Sequence, residues 1–430
     1  MPEQYQLKNM YNLGQYEQAA AFRNDPDEVK RFSEWDFFYC ASSLYKLGRY
    51  QECRDLCRVC SEKYPDFRML DDKMCWCVYH TGIKNFDFRQ DDIQTLLNHA
   101  DYIFEHSGDG RYSPRWLTAR FIARANEDGL LRVENGYAPV SRYLEKVNPD
   151  TLDTAEREFT DQSGKIRQLA SDKESWYSLQ SKALLKINAY DACIDCCDRG
   201  LKALTRFHSN NDSWMRYRKA KCLQALGRPD EAEKYVEEIL KSGFIHWCLL
   251  QLMFEFEAKK GNHEKALTYA GACCLSDEEH KMRVGFYEEL ADHLAESGET
   301  ELAMLLRKLV LLLRAENDWK EKNHHGEWRF TDEINAMDKQ AVLDRLNPVW
   351  REWRDKDKVY LTGKICKLLA EGKSGFIEAD NGGSYYFNAR DMKGRTREPR
   401  DGMRVRFTLT EKMDKSKGIV KQNAVEITVL

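Results

Sequence analysis

A chain of 430 residues, 42% hydrophobic and 12% aromatic, is long enough for two or more domains and too apolar to be disordered. Its 67 basic and 71 acidic residues nearly cancel, and nine prolines with 24 glycines leave little room for low-complexity linkers. The longest apolar run, Met304 to Leu313, is broken by Arg307 and Lys308, and the N-terminal stretch carries no apolar core or cleavage pattern; a cytoplasmic protein without membrane contact is expected.

In chain order, the first signal is a repeat. Leu13-Gly14-Gln15-Tyr16-Glu17-Gln18-Ala19 returns 34 residues later as Leu47-Gly48-Arg49-Tyr50-Gln51-Glu52-Cys53. Ile187-Asn188-Ala189-Tyr190-Asp191-Ala192-Cys193 carries the same signature. Leu226-Gly227-Arg228-Pro229-Asp230-Glu231-Ala232 and Lys260-Gly261-Asn262-His263-Glu264-Lys265-Ala266 follow, again 34 residues apart, and Ser297-Gly298-Glu299-Thr300-Glu301-Leu302-Ala303 closes the series. Each copy lies between helical patterns: Phe37, Ala41 and Leu44 share one face, and Cys53, Cys57 and Cys60 the next. The glycine permits a tight turn, and the small residue lets two helices approach. The series resembles the tetratricopeptide repeat, which implies an α-solenoid, residues 1–313, with a concave protein-binding surface.

Between Asp66 and Ala170 the signature fades, but Asp72 to Tyr79, Ile93 to Glu105 and Pro114 to Ala125 read as amphipathic helices of diverged repeats. Ser113 and Pro114 look like a helix start. Glu156 to Lys186 is expected to form two helices, anchored by Trp176 and Tyr177. The fourteen cysteines include Cys193, Cys196 and Cys197 on one helical face; buried packing is expected rather than a metal site.

Residues 314–358 read as a Trp-rich linker. Trp319 and Trp328 imply that it is ordered against something. His324 and His325, if extended, point to opposite sides and hold no metal without partners. Gln340 to Trp353 reads as a helix kinked at Asn347-Pro348. Trp350 and Trp353, three apart, read either as glue between the helices and the C-terminal domain, the preferred reading because large aromatics usually end up buried, or as an exposed docking patch.

Residues 359–430 change period. Val359 to Cys366, Gly375 to Ala379, Ser384 to Ala389, Arg404 to Thr410 and Ile419 to Val429 read as five strands. Asp380-Asn381-Gly382-Gly383 marks a hairpin. Five short strands in about seventy residues fit a small barrel of the OB type. This segment has fourteen Lys and Arg against nine Asp and Glu, a net of +5, while the rest has 53 against 62. A basic module on an acidic body is the footprint of a nucleic-acid site. Lys393, Arg395, Arg397 and Arg400 cluster after the third strand.

From Gly363 to Met392 the order of residues resembles a cold-shock domain, and the likeness resumes at Asp401 to Phe407, Lys417-Gly418 and Gln422 to Val425. That resemblance implies a platform where single-stranded bases stack. Phe376 and Tyr386 match platform aromatics. Asn388 stands where the family has histidine, Lys367 where it has tryptophan, Ser374 where it has the first aromatic and Ala389 where it has phenylalanine. Lys364, Lys367 and Lys373 lie nearby. The order of domains resembles proteins of the bacterial conflict systems called TOTE, which implies a part in defence.

No phosphate-binding loop, His-Glu-x-x-His or Gly-x-Ser-x-Gly is present. The expectation is therefore a non-enzymatic adaptor without cofactor, with a protein on the solenoid and RNA or single-stranded DNA on the barrel. A pure scaffold whose barrel has lost nucleic-acid binding, and a regulatory subunit of a separate enzyme, are the alternatives.

Overall fold

The computed structural model describes residues 6–109, 113–161, 163–320, 322–356, 358–369, 372–393, 398–414 and 419–430. Helices fill most of the chain, and a small closed barrel follows them. The chain divides into two units, 1–226 and 227–430.

In the first unit the repeat signature is a turn between antiparallel helices. Helix Glu34–Lys46 ends at Leu47, Gly48 takes φ +73°, and Tyr50–Lys63 returns. Asn188 stands in glycine's place before Tyr190–Ala203 and takes φ +61°; asparagine tolerates this region better than most side chains. Helix Glu34–Lys46 opens with a capping box, in which Ser33 and Asp36 each accept the other's backbone N–H. Cys53 and Cys193 are fully buried, and each Sγ donates to a carbonyl of the preceding helix, Ala41 or Ser181, at 3.2 Å. Twelve of the cysteines are buried. Burial pushes the thiols of Cys40, Cys75 and Cys196 up to about 12, so they stay protonated and pack as small apolar groups.

The diverged stretch holds helices Asp71–Val78, Ile93–His106, Pro114–Glu127 and Tyr137–Glu145. Ser113 caps the third of these through Arg115 N, with Pro114 at its first position. One expectation is corrected here. Glu156 to Lys186 holds a single helix, Asp172–Lys186, preceded by a hairpin of β1 (Arg157–Thr160) and β2 (Ile166–Leu169). The reason is local: Asp161 accepts the N–H groups of Ser163 and Lys165, which folds the chain back before Ser171 caps the helix through Glu174 N. Trp176 and Tyr177 are buried as expected, and Trp176 Nε1 donates to the Leu144 carbonyl at 2.9 Å.

The second unit stacks helices Pro229–Lys241, Trp247–Lys259, His263–Cys274, Val284–Glu296 and Thr300–Glu316. Helix Lys339–Asp355 runs on through Pro348 and packs against His263–Cys274. Contact is so close that a Cβ on Gly271 would lie 2.4 Å from the Trp350 carbonyl oxygen. Trp350 is fully buried, its ring parallel to Tyr287 at 5.9 Å, and Trp353 is 9% exposed. Both therefore bury among the repeat helices. An ion pair links the helix end to the barrel: Lys358 Nζ reaches Asp355 at 2.9 Å and Glu426 at 2.7 Å.

The barrel consists of β3 (Leu361–Leu369), β4 (Ser374–Ala379), β5 (Ser384–Asn388), the two-residue β6 (Met392–Lys393), β7 (Arg404–Asp414) and β8 (Ile419–Val429). Their order is β5-β4-β3-β7-β8-β6, and a parallel pairing of β5 with β8 closes the sheet. Ile365, Ile377, Phe387, Val405, Phe407, Ala424 and Ile427 fill it. The β4–β5 hairpin turns where the sequence placed it: Gly382 takes φ +85°, and Asn381 Oδ1 accepts the Gly383 N–H at 3.1 Å.

Candidate nucleic-acid interface

Alternation along β4 and β5 sorts the residues to two faces. Gly375, Ile377 and Phe387 are buried, so Ser374, Phe376 and Glu378 on β4, with Ser384, Tyr386 and Asn388 on β5, take the outer face. Residues directly opposite in a sheet share a face, and Phe376 pairs with Tyr386. Their rings meet edge to face, with centroids 5.7 Å apart and planes at 75°. Tyr386 is 37% exposed and Phe376 half-buried. Two aromatics thus stand side by side on this face.

The lysines frame them unevenly. Lys367 pairs with Phe376, because a bulge at Cys366 shifts the register of β3. Lys364 pairs with Glu378, and both are exposed. Lys373 is exposed in the turn before β4, and its carbonyl accepts the Ala389 N–H. Asn388 is partly committed: its Oδ1 caps the short turn Ala389–Asp391 by accepting the Arg390 N–H at 3.0 Å. Ser374 is 7% exposed. Of Lys393 the backbone is described, paired with Thr428 in β8. Arg395 and Arg397 lie outside the described residues.

Register adds neighbours that reading along the chain missed. Asn423 on β8 pairs with Tyr386 across the parallel closure, and Thr410 on β7 pairs with Asn423. One outer row therefore runs Lys367, Phe376, Tyr386, Asn423, Thr410. Alternation in β8, with Ala424 inside, was the available signal for Asn423; nothing local tied it to Tyr386. Glu378 was also missed. Its carboxylate on the same face opposes a phosphate, and Lys364 beside it offsets that charge.

A second cluster lies in the helical part of the second unit. His324 and His325 sit in a 3-10 turn, Asn323–Glu327, and not on an extended segment. Both rings turn toward Glu288, and ligand atoms of the three residues lie within 4.8 Å of one another. The expectation of opposite directions is thereby corrected, because the turn curls the segment onto helix Val284–Glu296. The donor set nevertheless fits a metal poorly. His325 Nδ1 accepts the Lys322 N–H at 3.2 Å, so Nε2 carries the proton of the neutral ring and faces Glu288 Oε1 at 3.3 Å. Lys322 Nζ bonds to Glu288 and Arg314 Nη1 lies 3.8 Å from it. Cations already surround the carboxylate. Burial pushes the His325 ring below its ordinary value against the pull of Glu288. The cluster is an ion-paired contact between the Asn323–Glu327 turn and helix Val284–Glu296.

The sequence model of a family described as a domain of unknown function, DUF7017, matches residues 213–346. No curated protein matches the chain. Among the described residues, no helix is long and apolar enough to cross a membrane.

Proposed function

We propose that this chain is a non-enzymatic adaptor of tetratricopeptide and cold-shock type. Its helical repeats hold a protein partner, and its barrel contacts single-stranded RNA or DNA. The observation that carries the reading is the outer row of the barrel, where Phe376 and Tyr386 stand side by side with exposed Lys364 and Lys367 next to them. Base–aromatic stacking contributes about 1–3 kcal/mol per base and is indifferent to sequence. Two rings and a few lysines support micromolar or weaker binding, with little sequence preference and a steep salt dependence. The resemblance to TOTE-associated proteins supports a part for such an adaptor in defence against invading genetic elements.

The test is fluorescence anisotropy of the full chain with a labelled single-stranded oligonucleotide at two salt concentrations. Phe376→Ala with Tyr386→Ala should cost about 1–3 kcal/mol per lost stack and leave the salt slope unchanged. Replacing Lys364 and Lys367 with glutamine should flatten the slope by about one unit per lost phosphate contact. If the wild type binds nothing at low salt, the second reading stands, a protein scaffold. The serine, lysine and alanine at positions 374, 367 and 389, with Glu378 on the same face, favour that reading.

A further inference from the structure

Two consecutive repeat turns in the second unit bring a second pair of histidines together. His263 opens helix His263–Cys274, just after the Gly261 turn. His293 lies in the last turn of Val284–Glu296, and Glu299 follows the Gly298 turn. His263 Nδ1 stands 3.0 Å from His293 Nε2, and His263 Nε2 stands 3.2 Å from Glu299 Oε1. Ser297 Oγ is 3.2 Å from the same Nδ1. Phe254 packs edge-on against the His293 ring at 5.3 Å.

His263 carries its proton as His325 does, but its Nδ1 faces a second imidazole where that of His325 faces the backbone N–H of Lys322. A carboxylate accepts a proton, so His263 keeps its hydrogen on Nε2 and presents the Nδ1 lone pair to His293. One bridging proton, on His293 Nε2, then completes the relay. A carboxylate behind one nitrogen and a lone pair on the other is the arrangement that orients and strengthens a metal-binding histidine. The charged groups acting on His293 besides its partner ring are Glu296 and Glu299. The His263 side chain is 35% exposed, which leaves an entry path and room for water ligands.

We propose that His263 Nδ1 and His293 Nε2 bind a late divalent transition metal in place of the hydrogen bond between them, the His293 proton shifting from Nε2 to Nδ1, with Glu299 as the positioning carboxylate. With metal–nitrogen bonds of about 2.0–2.1 Å, a 3.0 Å separation subtends an angle of about 94°. That is the cis angle of square-planar or octahedral Cu²⁺ or Ni²⁺, narrower than a tetrahedral site offers. Each ring turns to aim its lone pair at the ion, and Ser297 Oγ and water complete the shell. The ion would staple one repeat to the next.

The test is calorimetric titration of the tag-free full chain with NiCl₂ near neutral pH. One ion per chain with a micromolar Kd is expected. His263→Ala and His293→Ala should each weaken binding at least about tenfold, and Glu299→Gln by about 10–100-fold. His324→Ala with His325→Ala should bind as the wild type does. Circular dichroism checks that the variants fold. Glu299→Gln keeps both rings and decides the matter if the alanine variants do not fold. Absence of binding by the wild type overturns the proposal. So does unchanged binding in Glu299→Gln or in folded alanine variants, which would mean an adventitious ion only.

Discussion

In the helical repeats, Gly48, Gly227 and Gly261 have φ near +75°, and a Cβ on any of them would meet nothing within 4 Å. In the barrel, Gly363 and Gly375 stay outside the left-handed region, yet a Cβ would come within 2.4 Å of a backbone oxygen, of Glu378 and Lys367 respectively. The same residue type answers two demands. A repeat turn needs a backbone conformation and has space around it, so damage there is local. A closed barrel of short strands needs room, and a side chain added there displaces a neighbouring strand. Gly271 breaks the division. It lies within a repeat helix, but it is crowded like a barrel glycine by Trp350 and Arg354.

That exception marks where the largest effect is expected. Trp350→Ala empties the site stacked on Tyr287 and should cost about 3–5 kcal/mol, read by denaturant unfolding followed by far-ultraviolet dichroism. A small loss would mean that the helix Lys339–Asp355 is held by its other contacts.

Next come the crowded glycines. Gly375→Ala and Gly271→Ala should each lose about 1–3 kcal/mol by overpacking, although alanine is otherwise the mildest replacement. If Gly375→Ala is neutral in thermal unfolding, the barrel has slack and the comparison fails on that side. For the open turns, Gly48→Val should cost about 1–2 kcal/mol through its left-handed φ, with helicity retained. Gly48→Asn should cost less, because Asn188 already serves the same turn at φ +61°. Equal losses for the two variants would point to side-chain crowding and undo the distinction.

The smallest effect is electrostatic, at the joint between helix and barrel. Arg354 and Lys358 hold the Asp355 carboxyl well below its ordinary value. A depressed carboxyl contributes stability at pH values above its unfolded pKa and loses it as pH falls through the folded value. The loss should therefore begin below about pH 4 and amount to no more than about 1 kcal/mol, since the group is partly exposed. Asp355→Asn should abolish that part of the acid dependence in unfolding curves taken across the range. A steeper dependence above pH 5 would assign the titration to another group.

Much of this architecture is written in local chemistry. Gly48 and Asn188 mark repeat turns because few residues accept positive φ, and Cys53 and Cys193 mark helix contacts because small apolar residues recur at helical spacing. Asp380 to Gly383 marks the hairpin that sets Phe376 beside Tyr386. The β1–β2 hairpin was legible too, in Asp161 and Gly164, but the helical period of its surroundings concealed it. The tertiary structure alone decided the rest. Asn423 and Thr410 join the aromatic row through the parallel closure of β5 on β8, a pairing between segments more than thirty residues apart. Trp350 is buried because Gly271, far from it in sequence, leaves space for its backbone. His325 faces Glu288, and His263 faces His293, only once the helices are stacked. Periodicity and turn propensity belong to a few adjacent residues, whereas register, burial and the meeting of charged groups depend on which distant segments the fold brings into contact.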